Sequence, residues 1–297
     1  MMVEKILFIL NPFAGTKGTT SIREEITRVC ELYSIKHHIV QTEYKGHAIE
    51  LAATASKKGY DLVVAVGGDG TINEVAQGAI KSGLAMGIIP RGSGNGLARH
   101  LGIPLTVAEG VTALIKGKQI KMDTFTINDK LSLNVSGIGF DGRIANLFAN
   151  QTKRGLWGYI KLILNEYFSF EEFENEITLG ETTISEPLFV IAVANSSQYG
   201  NNARIAPLAS VCDQKLHITL LKKIPLYRID FIPEFFKGTL KNTIYSRIFE
   251  GEALQIKVIQ PIPYHVDGEA CGESDTFDIR IQPKSLMVRI PESSTKI

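Results

Sequence analysis

Cysteine is scarce, with three in 297 residues at Cys30, Cys212 and Cys271. Odd in number and far apart, they supply neither a disulfide framework nor metal-ligand spacing, so a reducing cytoplasm is the expected compartment. Long apolar runs are missing as well. The N-terminal run is unbroken only from Ile6 to Leu10 before Asn11 and Pro12 end it, which predicts a buried first strand and not a signal peptide. Nothing nears the roughly 18 continuous apolar residues of a membrane-spanning helix. Net charge is almost absent, since 32 basic against 31 acidic residues leave +1. No field of one sign argues for nucleic acid as a partner. Internal repeats and low-complexity segments are absent too, and the lack of a GxxxxGK[ST] run excludes a Walker-A NTPase.

The first 120 or so residues, by contrast, alternate short apolar runs with helical patterns. "KILFIL", "KHHIVQT", "DLVVAVGG" and "AMGIIP" read as strands, separated by the amphipathic stretches "TSIREEITRVCELYSI", "GHAIELAATASKKG" and "TINEVAQGAIKSG". Such alternation predicts a Rossmann-like parallel α/β domain, which we place at residues 1–125. From Asp123 onward strand-like runs dominate, among them "KLSLNVSG", "PLFVIAVANS", "KLHITLLKK" and "SLMVRIP". A β-rich, antiparallel sandwich-like domain is expected over residues 126–297. Two helical insertions interrupt it, "GLWGYIKLILNEYFSF" and "LYRIDFIPEFFKGTL".

Ligands on open parallel sheets bind beyond the carboxyl ends of the strands. That rim should carry "NPFAGTKG" after the first strand, "GGDGT" after the third and "PRGSGNG" after the fourth. Glycine-rich loops of this kind aim backbone N–H groups at a polyphosphate and allow close approach, and Lys17 could add a charge. Asp69 stands among three glycines; as an isolated residue it reads equally as a turn former, but its position on the ligand rim beside phosphate-binding amides favours a charge. A second acidic turn, "YHVDGEACGE", places Asp267 and Glu269 around a glycine after a strand, with His265 beside it. It reads either as an exposed β-turn or as the partner acid that phosphoryl transfer needs in a cleft between the two domains. A literal G-x-G-x-x-G occurs at Gly137, Gly139 and Gly142. It lies in the β-rich half without a following βαβ unit, so a tight turn is expected there and not a dinucleotide fingerprint.

Taken together, "NPFAG", "GHA" at 46–48, "GGDGTINEV", "PRGSGNGLA" and the late "VDGE" resemble the diacylglycerol kinase and sphingosine kinase catalytic-domain family in its compact bacterial-type form. The similarity spans essentially the whole chain in order and spacing. It implies ATP-dependent transfer of the γ-phosphate to a lipid hydroxyl such as that of diacylglycerol or a sphingoid base. By the same resemblance Asn11, Thr42, Gly67, Gly68, Asp69, Gly70, Thr71, Ile72, Asn73 and Ser93 would hold the nucleotide, Glu269 would be the general base, and Asp69 would organise ATP and Mg²⁺. A structural Mg²⁺ turn of the family is matched by "SVCDQKLHI", with the Asp213 carboxylate and the carbonyls of Ser210 and Lys215 as implied ligands. Two positions depart from the pattern. Gly96 stands where diacylglycerol-type members often carry Asp, and the metal turn reads "DQ" where the family has "DG".

A lipid acceptor implies transient contact with a membrane surface. The stretch with Trp157, Tyr159, Leu162, Ile163, Tyr167 and Phe168, preceded by Lys153 and Arg154, suits either an interfacial helix or a helix packed on the β-rich core. The second insertion, with Phe231, Phe235, Phe236 and Lys237, has the same two readings. An exposed edge strand could pair two chains. Two further functional classes are consistent with the loops: an NAD-kinase-like phosphotransferase, and a nucleotide-binding regulator without turnover.

Overall fold

The computed structural model describes residues 3–15, 18–149, 156–200, 203–225, 227–228 and 231–294. Two compact units are present. The first consists of Met1–Thr124 together with Pro283–Ile297, and the second of Phe125–Gln282.

In the first unit β1 (Lys5–Leu10), α1 (Thr19–Leu32), β2 (Lys36–Gln41), α2 (His47–Thr54), β3 (Leu62–Gly67), α3 (Asp69–Ser82) and β4 (Ala85–Pro90) alternate as the sequence periodicity requires. The strands are parallel in the order β2, β1, β3, β4. Every residue of β3 and β4 is buried, which is why these strands read as continuous apolar runs and not as alternating ones. Helix α1 buries Ile22, Ile26, Val29 and Cys30, one stripe at helical spacing, against Ile6, Phe8 and Leu10. Burial pushes the Cys30 thiol up to about 11, so it behaves as an inert packing group. Two further helices follow, α4 (Gly96–His100) and α5 (Val107–Lys116), and α5 adds Val107, Val111 and Leu114 to the same core.

The second unit opens with β5 (Lys118–Ile127), which begins in the first, and continues through β6 (Lys130–Ser132), β7 (Val135–Gly139), α6 (Phe140–Ala149), α7 (Leu156–Ser169), β8 (Asn175–Leu179), β9 (Thr182–Ile184), β10 (Val190–Ala194), β11 (Leu216–Leu221), α8 (Phe231–Lys237), β12 (Ser246–Gly251), β13 (Ala253–Val266) and β14 (Glu269–Ile290). Its strands pair antiparallel in the order β12, β11, β10, β7, β13, β14, with β8 also on β13 and β9 on β8. Strand β10 shows how the layers form. Ile191 and Val193 enter one core with Ile218, Leu254 and Phe277, while Val190, Ala192 and Ala194 enter another with Phe140, Ile144 and Phe231. Period-two alternation therefore feeds two apolar layers from one strand.

The chain end departs from the expected boundaries. Of the described residues, 283–294 return to the first unit, where Val288 pairs parallel with Met86 and Met287 joins the α/β core. Arg289 donates from Nη2 to the Ile115 carbonyl at 3.0 Å and from Nε to that of Leu114, capping the last turn of α5. Lys118 Nζ donates to the Ser294 carbonyl at 3.0 Å. No local pattern in "SLMVRIP" announces this, because a strand's partner is chosen by the tertiary fold.

The G-x-G-x-x-G stretch also differs from expectation. It is not a tight turn but a junction from β7, antiparallel to both its neighbours, straight into α6. Close packing explains the glycines. A Cβ on Gly142 would lie 2.3 Å from the Pro263 carbonyl oxygen, and one on Gly137 would lie 1.7 Å from Asp141 Oδ2.

Candidate active site

The carboxyl ends of the parallel strands bring together most of the expected nucleotide-binding residues. Asn11 follows β1 and folds its own loop, since Oδ1 accepts the Phe13 N–H at 2.9 Å, while Nδ2 donates to Thr71 Oγ1 at 3.0 Å in the first turn of α3. Thr42 follows β2, where its N–H donates to the Leu10 carbonyl at 2.9 Å. Gly46 opens the "GHA" segment and donates its N–H to Glu74 Oε1 at 2.9 Å, which ties α2 to α3.

Asp69 is the first residue of α3, with Gly68 at its N-cap. A carboxylate there complements the positive end of the helix dipole. Its Oδ2 accepts the N–H of Asn95 at 3.3 Å, so it also links the third-strand loop to the fourth-strand loop. Asn95 has φ of 52° and closes that loop on itself, accepting from the Gly92 N–H and donating to the Gly92 carbonyl, both at 2.8 Å. The two loops meet at their glycines: a Cβ on Gly92 would sit 3.0 Å from the Gly68 Cα. Larger residues would wedge the rim open.

Other expected residues fall differently. Ser93 is exposed at the tip of its loop, whereas Ile72 is only 1% exposed and spends its N–H on the Gly68 carbonyl, so it seats α3. Asn73 accepts from Gln77 Nε2 at 2.8 Å. Lys17 lies outside the described residues. Arg91, not singled out by the sequence, is 9% exposed and its burial lowers the guanidinium from its ordinary value. A Cβ on Gly15 would lie 3.2 Å from its Nη2, so this cation rests against the first-strand loop. A basic residue directly after a strand and before a glycine-rich loop was the available signal.

In the second unit "VDGE" is a two-residue hairpin loop joining β13 to β14, with Val266 opposite Glu269. Asp267 and Gly268 have φ of 49° and 85°, the type I′ turn that matches strand twist. Glu269 is the first residue after the turn and is exposed, whereas Asp267 is buried. Asp267 Oδ1 accepts from Ser132 Oγ at 2.7 Å and the Asn134 N–H at 2.9 Å, and Oδ2 accepts the Leu133 N–H at 2.9 Å. The two acids of the turn are thus divided: one anchors, the other projects.

The expected metal turn lies before β11. Asp213 Oδ1 accepts the Lys215 N–H at 3.0 Å, and Oδ2 is 2.8 Å from His217 Nε2. Ser210 Oγ accepts the Cys212 N–H at 3.3 Å. Lys215 Nζ is 2.6 Å from Glu250 Oε2, and this hydrogen-bonded ammonium holds the Glu250 carboxyl below its ordinary value. One carboxylate with main-chain carbonyls is a hard-oxygen donor set suited to Mg²⁺, though a cation there must compete with His217 for Oδ2. No group of three His, Cys, Asp or Glu side chains able to hold a metal occurs among the described residues.

Of the candidate interfacial residues, Leu162, Ile163, Tyr167 and Phe235 pack against a core, and Phe231 is buried within it. Phe168 and Phe236 are exposed. Lys153 and Arg154 lie outside the described residues, as do the side chains of Trp157 and Tyr159. No helix among the described residues is long and apolar enough to cross a membrane.

Replacing Asp267 by Ala strands three donors in a buried setting. Asp267→Ala is therefore expected to lower unfolding stability by about 3 kcal/mol, read in a urea titration, and a loss below about 1 kcal/mol would refute the anchoring role.

Both halves of the chain resemble known proteins. Residues 5–127 match the diacylglycerol kinase catalytic domain, and residues 134–290 match the YegS C-terminal NAD kinase beta sandwich-like domain. A probable lipid kinase YegS-like from Klebsiella pneumoniae (strain 342) is 30% identical over 262 residues, covering 86% of each chain. One from Chromohalobacter salexigens is 29% identical, covering 92% of this chain and 89% of that relative. Among solved structures, a diacylglycerol kinase from Bacillus anthracis str. Sterne superposes with a TM-score of 0.76 at 20% identity, over 99% of this chain and all of that one. At that identity the likeness establishes the fold. With a catalytic-domain match on its α/β half, a YegS match over more than half its length and relatives aligned almost end to end, the chain belongs to the YegS-like family of lipid kinases with a diacylglycerol kinase catalytic domain.

Proposed function

We propose that this chain transfers the γ-phosphate of ATP to a lipid hydroxyl, with the rim of the first unit holding the nucleotide and Glu269 of the second acting as base. The observation that carries the reading is the pair of glycine-rich loops in mutual contact at the N-terminus of α3, tied by Asp69 and Asn95. Such a rim offers N–H groups and a helix dipole to a polyphosphate. Asn11, Thr42, Gly67, Gly68, Gly70, Thr71, Asn73 and Ser93 line or support it, and Arg91 adds a buried cation. Asp69 would orient the Mg²⁺ that accompanies ATP. That ion supplies neutralisation of charge spread over the β- and γ-phosphates.

Glu269 then takes the proton of the acceptor hydroxyl as its oxygen forms the new bond to the γ-phosphorus. The bond from that phosphorus to the β,γ-bridging oxygen breaks, ADP leaves, and the proton passes from Glu269 to solvent. The acceptor is presented at a bilayer surface, with the exposed Phe168 and Phe236 as the apolar contacts. Gly96 begins α4 and brings no carboxylate to the fourth-strand loop. Mg²⁺ bound by Asp213 with the Ser210 and Lys215 carbonyls would have a structural role.

Labelled phosphate from ATP, offered to vesicles carrying diacylglycerol, monoacylglycerol or a sphingoid base and separately to NAD, tests the reading. Transfer to a lipid with co-sedimentation of the protein is expected. Transfer to NAD alone, or ATP binding with no transfer, would replace the reading with a nucleotide kinase or a regulator. Glu269→Gln should bind ATP normally and lose at least a hundredfold in lipid phosphorylation, in line with the usual worth of a general base; near-wild-type turnover would remove Glu269 from the mechanism. For the metal turn, calorimetric titration of MgCl₂ into nucleotide-free protein should show binding that Asp213→Ala abolishes, and equal heats for both would discard the site.

A further inference from the structure

Beside the Glu269 hairpin lies a carboxylate paired with a histidine, Asp141 with His265. His265, 3% exposed, is the last-but-one residue of β13 and pairs across the ladder with Gly137 on one side and Ala270 on the other. Its Nδ1 accepts the Gly268 N–H at 3.1 Å. That N–H sits in the middle of the turn, where the β-ladder gives it no carbonyl, so the ring satisfies a group the hairpin would otherwise leave open. A backbone N–H can only donate, which makes Nδ1 the acceptor and leaves the ring proton on Nε2. Nε2 in turn faces Asp141 Oδ2 at 3.4 Å.

Asp141 is itself held. Oδ1 accepts the Gly142 N–H at 2.9 Å, and Oδ2 accepts the Tyr199 hydroxyl at 2.8 Å. The missing side chain of Gly137 leaves the space that this carboxylate occupies, since a Cβ there would overlap Oδ2 at 1.7 Å. The glycine pattern of "SGIGFDG" therefore makes room for a carboxylate aimed at the ring beside it.

We propose that Asp141 and His265 form a positioning dyad that fixes the tautomer of His265 and, through the Gly268 N–H, the hairpin tip from which Glu269 projects. Glu269 is exposed and takes its placement from the backbone, so the dyad sets the direction of the base without touching substrate. The tip is held from two sides, by Asp267 on the β6–β7 connection and by His265 on Asp141. This role rests on the reading of Glu269 as the base.

The side-chain chemistry allows a dissection. Asn can place its carbonyl oxygen where Nδ1 lies and keep the Gly268 bond; Phe cannot. His265→Phe is expected to lower kcat for lipid phosphorylation at least tenfold with KM for ATP changed less than twofold, and His265→Asn to recover to within threefold of wild type. In wild-type protein ¹⁵N NMR should find the neutral ring protonated at Nε2, and hydrogen exchange should find the Gly268 amide protected in wild type and His265→Asn but not in His265→Phe. A ring protonated at Nδ1, kcat for His265→Phe within twofold of wild type, or an Asn variant no better than Phe would overturn the dyad. If the Phe variant does not fold, the tautomer in wild type and the Gly268 exchange in the Asn variant decide alone. Failure of the base assignment is separately visible, because Glu269→Gln would then retain turnover while the tautomer and exchange still report on the dyad.

Discussion

The three hydrogen bonds that Asp267 accepts from Ser132, Leu133 and Asn134 hold the hairpin tip on which the proposed chemistry depends. A side chain that must meet a reacting hydroxyl loses its value if its backbone wanders by an ångström, since positioning is a large share of phosphoryl-transfer catalysis. Glu269 is exposed, so no packing fixes it directly. Its precision is inherited from a turn whose neighbouring carboxylate is buried and fully engaged. The same device recurs in the first unit, where Asp69 accepts the Asn95 N–H and holds two glycine-rich loops together. In both units a carboxylate beside glycine is a tie between loops as well as a charge. The glycines permit the close approach, and the carboxylate stops the freedom they bring from becoming disorder.

That refines the sequence reading of Asp69, which takes it for charge and not for the turn. Reading Asp69 as either a turn former or a catalyst treats the roles as exclusive, yet one oxygen can take a backbone N–H while the residue still presents charge at a helix N-terminus. Asp267 and Glu269 show the complementary solution, with the two roles given to acids on either side of one glycine.

The parallel strands and their rim loops were legible because local signals agree there: buried strands as apolar runs, amphipathic helices at 3.6-residue spacing, and glycine-rich turns at strand ends. The antiparallel character of the second half was legible for the same reason. What escaped detection depends on contacts between residues far apart in the chain. Val288 on Met86 cannot be inferred from either segment alone. Asp141 with His265 joins residues from β13 and the start of α6, and the glycine pattern beside Asp141 imitates a nucleotide fingerprint while serving side-chain space. His217 on Asp213 is a local i, i+4 pair, yet nothing in the residue types of "SVCDQKLHI" singles it out.

In the proposed mechanism Glu269 is a base that removes a proton, with the phosphoryl group passing directly from nucleotide to lipid. A carboxylate in the same place could instead accept the phosphoryl group and pass it on, so the number of displacements at phosphorus distinguishes the two roles. ATP made chiral at the γ-phosphorus with oxygen isotopes and sulfur, followed by ³¹P NMR of the thiophosphorylated lipid, counts them. Inversion of configuration is the predicted result, and retention would contradict direct transfer and the assignment of Glu269 as a base.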